Sequence, residues 1–332
     1  MSALLWLVNN MGWNEGALAA LFSQSALKRC GLDVAIQPVY PPQGPPLPFR
    51  ADQQVRPPLA RARAAVRKIH ESARPFDRVL VDDDVPSSVV VAPDRSRAQA
   101  WYLFTRRYTL LAKADASYFA AFDGVLTTNR PIHAALSALP TVSPARLWPV
   151  PLLLGEGDSP VDAEYLPGST SRPTLALAGV FDAAKGLDLI VNALSLLGVT
   201  DAPWPLWALG DGPERPRMAQ YAKALGVDVH FVPDAAGWSR ILGAVDLMLA
   251  LQFDDRLGFD AAWAARCGTP MVAHDLTSVR EQIGADRAVW LSKPSVMDLV
   301  DVLAGRKWPA KEEPGAQSWA DDVAPWRDAL KI

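Results

Sequence analysis

The sequence predicts an α/β protein built as two Rossmann-like domains facing a cleft, each a parallel sheet covered on both faces. Three observations carry that prediction. Short, wholly apolar runs of strand length alternate with amphipathic runs of helix length along most of the 332 residues. The alternation breaks at 155–172, a stretch rich in Gly, Pro, Ser and Asp, and then restarts. The length suits two ordinary domains, with half of the residues apolar and 21% charged.

The first domain is expected over residues 1–154. Leu4 to Val8 reads as a buried strand. A loop containing Gly12 and Gly16 leads into a helix from Ala17 to Arg29, closed by Gly31, and Val34 to Pro38 gives the next strand. This is a βαβ opening, but the glycine spacing is not the dinucleotide fingerprint. Six prolines between residues 38 and 48 mark a loop. A helix from Leu59 to Ser72 carries Arg61, Arg63, Arg67 and Lys68, with Arg63 and Arg67 on one face. Strands follow at Arg78 to Val81, ending in Asp82-Asp83-Asp84, at Ala100 to Phe104 and at Gly124 to Thr128. A helix at Pro131 to Leu139 and a strand-like run at Trp148 to Leu152 complete this half.

Residues 155–172 form the linker, and the second domain occupies 173–316. Strands are expected at Thr174 to Gly179, Leu206 to Leu209, Val227 to Val232, Val245 to Ala250 and Met271 to Ala273. Helices are expected at Gly186 to Leu197, Pro213 to Leu225, Ala236 to Ala244, Ala261 to Cys267 and Val279 to Ile283. Residues 317–332 form a last helix with a kink expected at Pro325, and Trp319 and Trp326, seven apart, share roughly one face.

Composition narrows the chemistry. Cys30 and Cys267 stand far apart, so neither a disulfide framework nor a thiolate metal site is indicated, and a reducing, cytoplasmic setting fits. His70, His133, His230 and His274 have no metal spacing. The apolar start is too short for a signal peptide, and no transmembrane segment is present. Residues 1–150 hold 17 basic and 11 acidic side chains, a net of +6, while the remainder carries −9. A basic half beside an acidic half points to an anionic partner for the first.

Four motifs occur in order in the second half. They are Gly179-Val180-Phe181-Asp182-Ala183-Ala184-Lys185-Gly186, Leu209-Gly210-Asp211-Gly212-Pro213-Glu214, Phe231-Val232-Pro233, and Gln252 to Asp260 followed by Cys267-Gly268-Thr269-Pro270. Together they resemble the nucleotide-sugar site of GT-B glycosyltransferases, particularly the large retaining family. That family carries Gly-Arg-x-x-x-x-Lys-Gly, a Gly-x-Gly-Pro-Glu turn, and Pro-Ser-x-x-Glu-x-Phe-Gly with a second Glu eight residues after the first.

The resemblance implies a glycosyltransferase that moves a sugar from a nucleotide-diphosphate sugar, retaining, with no cofactor and no metal. Lys185 is then the charge on the leaving diphosphate. Gly210, Gly212 and Val232 contact the nucleotide, and Gly12 and Gly16 approach the ligand from the first domain. Asp255 takes the place of the first Glu and orients the sugar, flanked by Leu257 and Gly258. Two departures stand out: Val180 replaces the phosphate-clamping Arg, and Trp263 replaces the ribose-gripping second Glu. The ribose is then left to Asp260 or to stacking on Trp263.

In the acceptor half, Asp82 is the base if the reaction inverts, and Asp83, Arg106, Arg63 and Arg67 meet the acceptor. The Asp82–Asp84 run is equally a loop of solvated acids. The acceptor is expected to be nucleic acid or another anionic polymer: DNA with a hydroxymethylated base, a lipid-linked phosphate, or an anionic glycan. The last helix is implied to cross back onto the first domain. Loss of the family Arg and Glu also fits a non-catalytic GT-B protein with a degenerate donor site. A sugar-nucleotide epimerase ranks below both, for want of cleft acids and histidines.

Overall fold

The computed structural model describes residues 3–9, 11, 12, 14–29, 31–42, 54–56, 58, 59, 71–73, 76–83, 85, 100–105, 119, 122–128, 130–140, 142–154, 172–200, 203–233, 237–254, 258–312 and 319–331. The chain divides into two compact units, Met1–Glu156 with Gln317–Ile332, and Gly157–Ala316.

The first unit holds a six-stranded, all-parallel sheet. Its strands are β1 (Ala3–Val8), β2 (Asp33–Pro38), β3 (Arg78–Asp82), β4 (Ala100–Thr105), β5 (Gly124–Thr127) and β6 (Leu147–Pro149), in the order β2-β1-β3-β4-β5-β6. Side chains alternate between faces along each strand. Leu5, Leu7, Val79, Val81, Leu103 and Val125 build one core layer.

Helix α1 (Glu15–Arg29) crosses from β1 to β2. It begins two residues earlier than expected because Asn14 caps it: Ala17 N–H donates to Asn14 Oδ1 at 2.8 Å, and Asn14 Nδ2 donates to the Gly12 carbonyl at 3.0 Å. Lys28 and Arg29 suit its C-terminal dipole, and Gly31 turns the chain at φ 85°. Helix α2 (Arg130–Ser137) lies between β5 and β6.

The second unit holds β7 (Leu175–Val180), β8 (Leu206–Asp211), β9 (Val229–Val232), β10 (Leu247–Ala250), β11 (Met271–His274) and β12 (Ala288–Leu291), all parallel, in the order β12-β11-β10-β7-β8-β9. The connecting helices are α3 (Leu187–Thr200), α4 (Arg215–Ala224), α5 (Trp238–Ala244), α6 (Phe259–Arg266) and α7 (Thr277–Ile283); α8 (Val296–Gly305) follows β12. Ile190, Val191, Leu194, Met218, Leu299 and Leu303 of α3, α4 and α8 pack on Leu175, Leu177, Leu206, Ala208 and Leu249. Sequence reading names neither β12 nor α8. The signal for α8 was present as a capping box: Asp298 N–H donates to Ser295 Oγ at 3.1 Å, and Ser295 N–H to Asp298 Oδ2 at 3.2 Å.

The last helix, α9 (Trp319–Leu330), belongs to the first unit and continues through Pro325. Trp326 is fully buried between Phe104, with ring centroids 5.3 Å apart, and Trp6, at 5.8 Å. Its indole N–H donates to the Pro151 carbonyl at 2.8 Å. Arg78 closes the far end, its guanidinium donating to the carbonyls of Leu330 and, at 2.8 Å, Lys331. A cation against the last carbonyls of a helix meets both their unsatisfied acceptors and the negative end of the dipole. Replacing Trp326 by Ala should therefore lower the stability of the first unit by about 3–5 kcal/mol, as for other buried aromatic truncations. Urea unfolding followed by tryptophan fluorescence reads the effect, and an unshifted midpoint would refute this account of how α9 is held.

Candidate functional site

In an open parallel sheet, ligands gather outside the carboxyl ends of the strands where the chain reverses its direction of travel across the sheet. In the second unit that point lies between β7 and β10: β8 and β9 build outward on one side, β10 to β12 on the other. The penultimate residues of β7 and β8 are both glycine. Gly179 and Gly210 are register partners with φ of 108° and 134°, which only glycine adopts freely. A Cβ built on Gly210 would lie 2.1 Å from the Gly179 carbonyl oxygen. The two backbones thus meet without an intervening side chain.

Beyond β7 the chain makes a short 3₁₀ turn, Ala183–Lys185, capped by Asp182, which accepts from Ala184 N–H at 3.0 Å. Gly186, at φ 72°, closes the turn and opens α3. The turn sends Lys185 back over the glycine floor: its Nζ would stand 3.1 Å from a Cβ on Gly179. There Lys185 donates to Asp260, and the two form an ion pair with only 5% and 3% of their side chains exposed. Asp260 lies in the first turn of α6, whose N-cap is Gly258. Lys185 has three N–H donors, and Asp260 is its hydrogen-bond partner among the described residues. An ammonium is therefore fixed beside the positive end of a helix, at the mouth of a side-chain-free floor. That combination suits a diphosphate.

Lys185, Gly210, Gly212 and Gly258 all lie on this carboxyl edge. Val232 ends β9, two strands from β7, half-buried. Asp255 and Leu257 lie outside the described residues, in the stretch leading into Gly258. Val180 is buried and pairs in register with Asp211, whose carboxylate accepts from Gly212 N–H and from Arg215 Nη1, both at 2.8 Å. A guanidinium is thus held at the end of the neighbouring strand, on α4, where motif comparison did not look.

The stacking role foreseen for Trp263 does not hold. Its ring is buried against Trp238 of α5, 6.2 Å away and edge-on at 69°. A large aromatic on the core face of α6 serves packing. Asp260, the other ribose candidate, is engaged with Lys185.

In the first unit the reversal lies between β1 and β3. Gly12, held through Asn14, follows β1, while Gly16 is buried in the first turn of α1 rather than in a loop. Asp82 ends β3 fully buried and Asp83 follows it, also buried, so the reading of these two as solvated loop acids is corrected. Arg63, Arg67 and Arg106 lie outside the described residues. Among the described residues no group of three His, Cys, Asp or Glu side chains could hold a metal. Cys267 offers no nucleophile, since burial pushes its thiol up to about 11.

Two facing needs, a parallel sheet with its reversal point and a fixed cation over a glycine floor, define the class: the chain has the fold of the GT-B glycosyltransferases. Residues 172–304 match the family model described as "Glycosyl transferases group 1". A 2-deoxystreptamine N-acetyl-D-glucosaminyltransferase of Streptomyces fradiae is 30% identical over 121 residues, a match covering 34% of this chain and 28% of that enzyme. Among solved structures, WaaG, a glycosyltransferase involved in lipopolysaccharide biosynthesis, superposes with a TM-score of 0.65 at 17% identity, covering 99% of each chain. HepE of Anabaena, in complex with UDP and glucose, gives 0.62 at 12% identity, covering 92% of this chain and 89% of its own. Sucrose-phosphate synthase from Thermosynechococcus elongatus gives 0.61 at 14%, covering 100% and 94%.

Removing one member of a buried ion pair strands the other charge, at about 3–5 kcal/mol, whereas replacing both with apolar groups is often neutral. Lys185→Met alone should fall in that range, and Lys185→Met with Asp260→Leu should recover most of the loss. A double-mutant cycle by urea unfolding checks this. Additive single effects would mean the pair is not coupled.

Proposed function

We propose that the protein is a glycosyltransferase using a nucleotide-diphosphate sugar. The observation that carries this reading is the Lys185 ammonium, clamped by Asp260 at the start of α6 and over the Gly179–Gly210 floor. Breaking the bond between the sugar's anomeric carbon and the diphosphate leaves negative charge on the departing phosphate. Lys185 and the first N–H groups of α6 are fixed beforehand to receive it, so little reorganisation opposes the step. Asp260 holds the ammonium in place but also cancels part of its field. Arg215, one strand away, is the further cation that a site lacking an Arg at position 180 would use.

In this reading Asp255 orients the sugar hydroxyls, and the reaction retains configuration without a metal, since cations and a helix terminus already offset the diphosphate. The +6 charge of residues 1–150 favours an anionic acceptor. Asp82, at the end of β3, is the base if the reaction instead inverts. A specific observation favours a second reading, a non-catalytic nucleotide-sugar binder: Val180 and Trp263 are both buried in the core, and neither can grip phosphate or ribose.

Thermal shifts against UDP, GDP, ADP, CDP and TDP and their sugar conjugates test the donor site. UDP comes first, because it is bound in HepE. A ligand at about a hundred times its Kd adds about 2.7 kcal/mol to the native state. One diphosphate is expected to raise the midpoint of the wild type and to leave that of the Lys185→Met/Asp260→Leu protein unchanged. No response from the wild type to any of them would overturn the reading. An acceptor screen then pairs anionic polymers with the aminocyclitol named for the Streptomyces relative. Transfer to an anionic acceptor should weaken with salt. Donor binding without product on any acceptor would favour the second reading.

A further inference from the structure

We propose that Phe253 and His274 form the donor-sugar contact of this site. The proposal rests on the nucleotide-sugar reading and goes beyond it by naming the residues.

A nucleotide sugar is linear: base, ribose, diphosphate, sugar. The carboxyl edge of the second sheet is read in the same order. Val232, Gly210 and Gly212 end β9 and β8, and Lys185 with Asp260 stands at the reversal between β7 and β10. The sugar then falls toward the ends of β10 and β11. Phe253 lies three residues beyond β10, and His274 ends β11.

Phe253 is a large apolar side chain left 48% exposed. It is not a loose surface residue. Its N–H donates to the Ala184 carbonyl at 2.7 Å, which ties it to the turn that carries Lys185. Its ring lies against Gly186, where a Cβ would stand 3.3 Å from Cε2. The ring also meets the His274 imidazole edge-on, with centroids 5.5 Å apart at 64°.

His274 is fixed in turn. Its Nδ1 lies 2.7 Å from the Gln252 carbonyl oxygen, and a carbonyl only accepts, so Nδ1 carries the proton. In the neutral ring Nε2 is then an acceptor, and it has no hydrogen-bond partner among the described residues. The rim thus offers an apolar ring beside a fixed hydrogen-bond acceptor. A pyranose offers the complement, a face of C–H groups and an edge of hydroxyls.

The test uses three variants of the full chain, titrated calorimetrically with UDP, UDP-glucose, UDP-N-acetylglucosamine and UDP-glucuronate, or with the diphosphate the thermal-shift panel selects. Phe253→Ala removes the ring. His274→Asn keeps a donor at the place of Nδ1 and loses Nε2; His274→Gln does the reverse. The glucuronate conjugate serves to show whether a charged sugar is held by the same two residues. Phe253→Ala and His274→Asn should weaken the uncharged conjugates about tenfold while leaving UDP within twofold, and His274→Gln should restore much of the loss. Variants that bind UDP-glucose as tightly as wild type overturn the proposal alone, as does a parallel loss of UDP and its conjugates, which would mark a structural role. Wild type that binds no nucleoside diphosphate overturns the donor-site reading and this proposal with it.

Discussion

The buried pair between Lys185 and Asp260 organises the second unit. Two opposite charges withdrawn from water are stable only when each holds the other and the surroundings fit both. Here the fit is made by glycine. Gly179 must carry no side chain or the ammonium is displaced, Gly210 must carry none or β7 and β8 cannot close, and Gly186 must turn left-handed for α3 to begin. The pair also fixes where α6 starts relative to β7, because its acid sits in the helix's first turn. The site and the packing of the sheet are therefore one problem. A change that frees the ammonium also disturbs the helix whose first turn holds it.

The first unit is organised by contact across the length of the chain. Trp326 and Trp6 are separated by almost the whole sequence, yet they share a cluster with Phe104, and Arg78 reaches the carbonyls at the end of α9. The face of the sheet that receives Trp326 is apolar in its own right, Leu4, Trp6, Leu80 and Phe104 all being buried. Without the last helix that face would meet water. The final residues thus belong to the first core, and a polar anchor at each end, Trp326 on Pro151 and Arg78 on Leu330, sets how the helix lies on it.

Val180 and Trp263, at the two positions where the motif reading looked for an arginine and a glutamate, are both buried. At the carboxyl edge Asp260 serves the lysine, Asp211 gathers a backbone N–H and the Arg215 guanidinium, and the Gln252 carbonyl fixes a histidine. Each of these groups is preorganised by a partner of known geometry.

Much of this architecture was legible in the residues. Apolar runs such as Leu4 to Val8 and Leu247 to Ala250 can only be buried strands, because they are apolar on both alternating faces, and their alternation with helices dictates parallel sheets. The motif order found Lys185 and the glycines, since backbone conformations closed to other residues leave glycine in the sequence. Two elements, β12 and α8, escaped notice despite the Ser295–Asp298 cap, and Asn14 moved the start of α1. What the sequence by itself determined was the class of fold and most of the succession of elements. Only the tertiary structure decided which acid Lys185 meets, that Trp263 packs rather than stacks, and that Phe253 and His274 share one rim. The reason is physical: periodicity and backbone permissiveness are local and written residue by residue, whereas ion pairing, burial and ring contact join residues that only the folded chain brings together.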